Sequence, residues 1–155
     1  MPLLDLLKFS RALADRRNKA ALLLTPDLRE QHAVAAQLAG ALSTPHLDVL
    51  ERFHSNTQLV DQIAGFSPAD FFKLVATQKS SPLLIISGLE FLLAAWLAQG
   101  DAKQVKQNFC QQIELWSQKP AFLLVTQHDP VFAAYAPTRH SGQLIIELSQ
   151  TLALA

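Results

Sequence analysis

Three short apolar runs limit the fold of this chain more than any other feature. Ala20-Ala21-Leu22-Leu23-Leu24, Leu83-Leu84-Ile85-Ile86 and Ala121-Phe122-Leu123-Leu124-Val125 carry no alternating polar residues. Read as strands, such runs are covered on both faces, which means helices on either side of a sheet. The segments between them supply those helices.

Leu3, Leu4, Leu6, Leu7, Leu13 and Ala14 recur at helical spacing and stop at Asp15-Arg16-Arg17-Asn18-Lys19. After the first run, Thr25 is expected as N-cap and Pro26 at the first helical position of a helix over Leu28 to Leu42. Pro45 precedes a weaker strand, Leu47 to Leu50. The polar stretch Glu51 to Gln58 leads to a helix near Leu59 to Ala64, and Ser67-Pro68-Ala69-Asp70 opens another that buries Phe71, Phe72, Leu74 and Val75. Pro82 introduces Leu83 to Ile86, expected as the central strand. Helices follow over Leu89 to Gln99 and Ala102 to Gln118, the second with a stripe of Val105, Phe109, Ile113 and Trp116. Ala121 to Val125 is the fourth strand, Thr126 to Gly142 a loop or short helix, and Leu144 to Leu148 the fifth strand. Strands alternating with helices predict an α/β domain: a parallel sheet of about five strands sandwiched between helices, joined by right-handed crossovers. One domain spans the 155 residues, with no internal repeat or linker.

Composition narrows the partners. Thirteen Lys+Arg balance thirteen Asp+Glu, so no global field draws the molecule to nucleic acid or anionic lipid. The same neutrality, with 50% apolar residues, favours a protein partner or homo-oligomer. Cys110 is the one cysteine; it forms no intramolecular disulfide, lies beside the stripe of its helix, and fits a reducing interior. Asp5 and Lys8 interrupt the opening apolar pattern, which argues against a signal peptide, and Leu89 to Ala98 is too short to span a bilayer. The expected compartment is the cytoplasm, with no membrane contact.

The chemistry is read at three strand ends. A phosphate-binding loop, G-x-x-x-x-G-K-[ST], wraps phosphates with bare backbone N–H groups while Lys meets their charge and the hydroxyl meets magnesium. The junction here reads Thr25-Pro26-Asp27-Leu28-Arg29-Glu30-Gln31-His32. Thr25 and Glu30 stand at the glycine positions, Gln31 at the lysine and His32 at the hydroxyl. Pro26 lacks an N–H, and Asp27 and Glu30 place carboxylates where a helix start would attract phosphate. At the second strand end, Leu83 to Ile86 continues into Ser87-Gly88-Leu89-Glu90, with Ser87 where a magnesium-holding aspartate is expected. Glu90 suits helix-dipole compensation and Gly88 a tight turn. The third end, Val125-Thr126-Gln127-His128-Asp129, places Gln127 at the strand terminus; neighbouring His128 and Asp129 point apart, against joint acid-base work.

In order and spacing, Ala20 to Leu148 resembles the RecA/KaiC-like branch of P-loop ATPases, in which a polar residue at that strand end senses the γ-phosphate. Among small single-domain members the chain is similar to the P-loop-like accessory protein of some bacteriophage-exclusion (BREX) defence systems and to inactive RecA-type paralogues that assist recombination. The resemblance implies a RecA-like fold and a place beside a larger ATPase or DNA-processing subunit. Because the phosphate-loop and magnesium-aspartate patterns are absent, it implies no cofactor and no metal, and no catalytic residue.

The leading expectation is a non-catalytic interaction module, a pseudo-ATPase, whose partner docks on the carboxyl edge through Asp27, Glu30, Glu90, Gln127 and Asp129. An atypical nucleotide-binding ATPase completed by a partner is one alternative. A direct nucleic-acid binder is the other, using Arg11, Arg16, Arg17, Lys19 and Arg139, beside His140, with Phe132 and Tyr135 available for base stacking.

Overall fold

The computed structural model describes residues 3–78, 80–137 and 143–152. The expected α/β class is present. Among the described residues five strands, β1 (Ala20–Thr25), β2 (His46–Asp48), β3 (Leu83–Ser87), β4 (Ala121–Gln127) and β5 (Ile145–Glu147), form one sheet in the order β2-β3-β4-β1-β5. All four pairings are parallel, and helices flank the sheet in the expected RecA-like layout.

Alternation along the strands divides the core in two. Ala21, Leu23, Leu83, Ile85, Leu123 and Val125 pack with α1 (Leu6–Leu13) and α2 (Leu28–Leu42). Leu22, Leu24, Leu84, Ile86, Phe122 and Leu124 face the other side. There α3 (Val49–His54), α4 (Thr57–Asp61), a 3-10 turn (Ile63–Gly65), α5 (Pro68–Ala76), α6 (Glu90–Leu97), α7 (Ala102–Glu114) and α8 (Pro130–Ala134) follow in the chain. Phe71, Phe72, Trp96, Phe109, Trp116, Phe122 and Phe132 make an aromatic layer on this side, with neighbouring ring centroids 5.2 to 6.5 Å apart. These separations allow edge and tilted packing. Both buried indoles keep their donors satisfied, Trp96 to the Phe66 carbonyl at 2.6 Å and Trp116 to the Pro120 carbonyl at 2.8 Å.

Several boundaries differ from the sequence reading. Thr25 is the last residue of β1, paired with Gln127, and its hydroxyl bonds the carbonyls of Asp27 and Thr126 at 3.2 Å. The cap passes to Asp27, whose extended backbone lets its carboxylate accept from Glu30 N–H, so Pro26 precedes the helix. β2 ends at Asp48 because that side chain caps α3 directly, turning much of the polar stretch from Glu51 into helix. α7 stops at Glu114, short of Gln118. β3 is interior but not central: β4 occupies the middle and is buried from Ala121 to Thr126. Leu84 and Ile86 are nevertheless buried, as both-face coverage requires.

Leu4 pairs with the segment that follows β5. Leu4 N–H bonds the Gln150 carbonyl at 3.0 Å and Leu152 N–H the Leu4 carbonyl at 2.8 Å. Among the described residues no helix is long and apolar enough to cross a membrane.

Candidate functional site

Placing β4 between β3 and β1 sets three strand ends side by side: Ser87, Gln127 and Thr25. From β1 the chain turns through α2 toward β2 on one face of the sheet. From β4 it turns through α8 toward β5 on the other. Such a reversal opens a crevice beyond the strand ends, the usual ligand position in open α/β sheets.

Here the crevice is bridged by the protein itself. Gln31 lies on the buried stripe of α2 with Val34, Ala35 and Leu38, and is 3% exposed. Its amide nitrogen donates to Glu90 Oε2 at 2.6 Å, and its amide oxygen accepts from Gly88 N–H at 2.8 Å. The same Glu90 oxygen accepts from Gln127 N–H at 2.8 Å. Two side chains therefore join α2, the β3–α6 turn and the end of β4. The position expected to carry a lysine carries a neutral amide with both ends engaged, and a carboxylate stands in front of it. Charge and occupancy both oppose a phosphate at that point.

Gly88 makes the turn possible. Its φ is +77°, and an added Cβ would lie 2.5 Å from Asp48 Oδ1 and 3.1 Å from Leu50 N, so any other residue meets both strain and collision. Beside it, Ser87 Oγ is 2.7 Å from His46 Nε2. The pair has the distance of a nucleophile and its base, but Ser87 is 1% exposed, so its hydroxyl cannot reach a substrate and serves as an internal bond. His46 is held below the ordinary imidazole value by burial, against the attraction of Asp48 and with the repulsion of His32. His32 Nδ1 lies 3.6 Å from Asp48 Oδ2, with its ring 5.9 Å from that of His46. Among the described residues no group of His, Cys, Asp and Glu is arranged to hold a metal.

The acidic candidates divide by environment. Asp27 and Glu30 are exposed, as is Gln127. Glu90 is half-buried and engaged as above. Asp129 caps α8 through Val131 and Phe132 N–H and pairs with Lys106. Burial raises its carboxyl, but Lys106 and the two N–H bonds outweigh that and hold it below the ordinary value. His128 turns away to Glu147, 3.0 Å distant, so it and Asp129 do not act together.

The described basic candidates, Arg11, Arg16, Arg17 and Lys19, lie on α1 and the segment that leads into β1, toward the opposite, amino edge. Lys19 Nζ donates to the Ala14 and Arg16 carbonyls, both at 2.7 Å, closing the end of α1. Arg16 bonds Asn18 at 2.8 and 3.1 Å and covers the Phe9 ring at 5.4 Å. Arg11 and Arg17 are exposed, while Arg139 and His140 lie outside the described residues. Phe132 is 2% exposed and packed in the core, so it offers no stacking face. Tyr135 donates to Glu114 at 2.6 Å and is raised above the ordinary phenol value by burial and that bond. Cys110 is fully buried, its thiol pushed up to about 12 by burial and by Asp129, which makes it a core residue rather than a reactive one.

The bridge through Gln31 is the feature missed in the sequence. Its signal was a polar residue on the apolar stripe of α2, four residues before Ala35. No protein-family model matches the chain, and no curated protein matches it.

Proposed function

We propose that the protein is a non-catalytic, P-loop-like interaction module, an accessory subunit of a DNA-processing assembly of the recombination, repair or phage-defence kind. The observation that supports this reading is the closure of the crevice by Gln31, Glu90 and Gln127. An ATPase needs free backbone N–H groups and a lysine there; here Gly88 and Gln127 N–H are engaged by Gln31 and Glu90, and a glutamine bonded to a carboxylate stands in the lysine's place. What the edge still offers is surface. Asp27, Glu30 and Gln127 are exposed there, with Leu28 53% and Leu50 54% exposed nearby. Carboxylates around exposed leucines suit a basic, partly apolar protein partner better than a nucleotide. The rival reading as a nucleic-acid binder is weakened because Arg16 and Lys19 are engaged at the end of α1.

The test is affinity purification of the tagged chain from its native cells, with mass spectrometry of what accompanies it. Wild type should retain a DNA-processing subunit, and Glu30→Lys combined with Gln127→Lys should lose it while melting normally. Both substitutions leave the Asp27 and Asp129 helix caps intact. Retention of the same subunit by the double variant would place the interface elsewhere, and absence of any DNA-processing protein would remove the proposed setting.

A further inference from the structure

The crossover from β2 to β3 encloses a pocket of about 480 Å³, where the end of α4 and the 3-10 turn face α5. Its volume lies within the roughly 300–1,000 Å³ of small-molecule sites. The floor is partly apolar and held in place. Trp96 Nε1 donates to the Phe66 carbonyl at 2.6 Å, and the Phe66 ring meets Phe53 edge-on with centroids 5.0 Å apart. Phe66 and Leu74 are half-buried, and both line the pocket.

Charges of both signs line the same pocket. Asp61 is the last residue of α4, while Asp70 and Lys73 stand three apart on α5 and so share one side of that helix. Asp70 Oδ2 closes the capping box of α5, accepting from the Ser67 N–H at 2.9 Å and the Ser67 hydroxyl at 3.0 Å. Those bonds, with Lys73 adding to them, hold the Asp70 carboxyl below its ordinary value, so it is an anion at neutral pH. Asp61 and Lys73 are exposed. The ion pairs among the described residues are His32 with Asp48, Lys106 with Asp129 and His128 with Glu147, so the three charges of the pocket do not neutralise one another by contact.

We propose that this pocket binds a free α-amino acid with a cationic side chain. The lining carries two carboxylates and one ammonium, and such a ligand carries two cations and one carboxylate. Asp61 and Asp70 match the α-ammonium and the side-chain cation, and Lys73 matches the α-carboxylate, leaving no charge over. Leu74 accommodates an aliphatic stem, and Phe66 offers a ring to a guanidinium. A neutral amino acid leaves one carboxylate unmatched, and a nucleotide or other polyanion meets two of like sign. A basic peptide segment fits less well, since its backbone has no carboxylate for Lys73. The pocket shares no residue with the crevice at the strand ends, so this site stands whether or not a protein docks there.

The probe is L-arginine, titrated against the intact chain by isothermal calorimetry at low salt. The expected result is a saturable isotherm in the millimolar range with a gain in melting temperature. Agmatine, which lacks the carboxylate, and L-norvaline, which lacks the guanidinium, should each bind about tenfold more weakly. Asp61→Asn should weaken arginine about tenfold, and Lys73→Gln should do the same without weakening agmatine, a split that a merely structural change would not produce. Both positions are exposed, and Glu30→Lys at the crevice edge should leave the isotherm unchanged. The proposal is overturned by the absence of saturable heat, by equal binding of arginine and agmatine, by indifference to Asp61→Asn and Lys73→Gln, or by tighter binding of an arginine peptide whose carboxyl terminus is amidated.

Discussion

Gln31 has the clearest consequences of any single residue. Replacing it with Leu preserves bulk on the buried stripe but leaves Gly88 N–H without its acceptor and removes one of two donors to Glu90. A buried polar group deprived of its partner costs about 1–3 kcal/mol. Gln31→Leu should lower stability by that much in urea unfolding, and Gln31→Glu by more, because it sets a second carboxylate beside Glu90. A variant as stable as wild type would mean that the bridge contributes nothing. His46 gives a prediction in pH. Its folded value lies below the ordinary imidazole value of 6.5, so the unfolded chain binds the proton first. Its contribution is full above that value and declines as pH falls from 6.5 toward the lowered folded value. Melting temperature should therefore fall over that window, and less steeply in His46→Gln, which keeps a hydrogen-bonding side chain near Ser87 but cannot titrate. Parallel profiles would place the pH dependence elsewhere.

Among the elements, β3 makes the sharpest demand, since Leu84 and Ile86 point into the aromatic layer at 2% and 0% exposure. An unpaired carboxylate there costs several kcal/mol against a total stability of about 5–15 kcal/mol. Leu84→Asp and Ile86→Asp should each give insoluble or non-cooperatively melting protein; soluble, cooperatively melting variants of both would contradict the burial. The same strand shows what periodicity can and cannot convey. Its apolar run made two-sided burial legible, but not strand order, because β4 is equally apolar and an unbroken run looks alike in the middle of a sheet and one place from it. The N-terminus of α2 shows a similar limit. Thr25 and Asp27 are both good caps, and the choice fell to Asp27 because Thr25 was drawn into the β1–β4 ladder by Gln127, one hundred and two positions along the chain.

For the molecule as a whole, the alternation of strands and helices was enough to read a parallel α/β sheet, while the departures at Thr25 to His32 and Ser87 underlie the proposal that nucleotide chemistry is absent. The bridge at those strand ends was not legible. The bonds of Gln31 to Gly88 and Glu90 span 57 and 59 positions, and no local pattern records a side-chain pairing of that range. Glu90 was accordingly read as helix-dipole compensation and as a docking-edge residue; it does open α6, but its carboxylate also completes the bridge. On the proposed reading, the position that would hold a nucleotide in a RecA-like protein is taken by the Gln31–Glu90 bridge, and the outer surfaces are left to make contacts. The measurement that bears on it most directly is isothermal titration of the intact chain with magnesium-ATP at millimolar nucleotide. The account predicts heats of dilution only, with no gain in melting temperature in the same buffer. A saturable isotherm accompanied by thermal stabilisation would show that the crevice opens to nucleotide, and would contradict it.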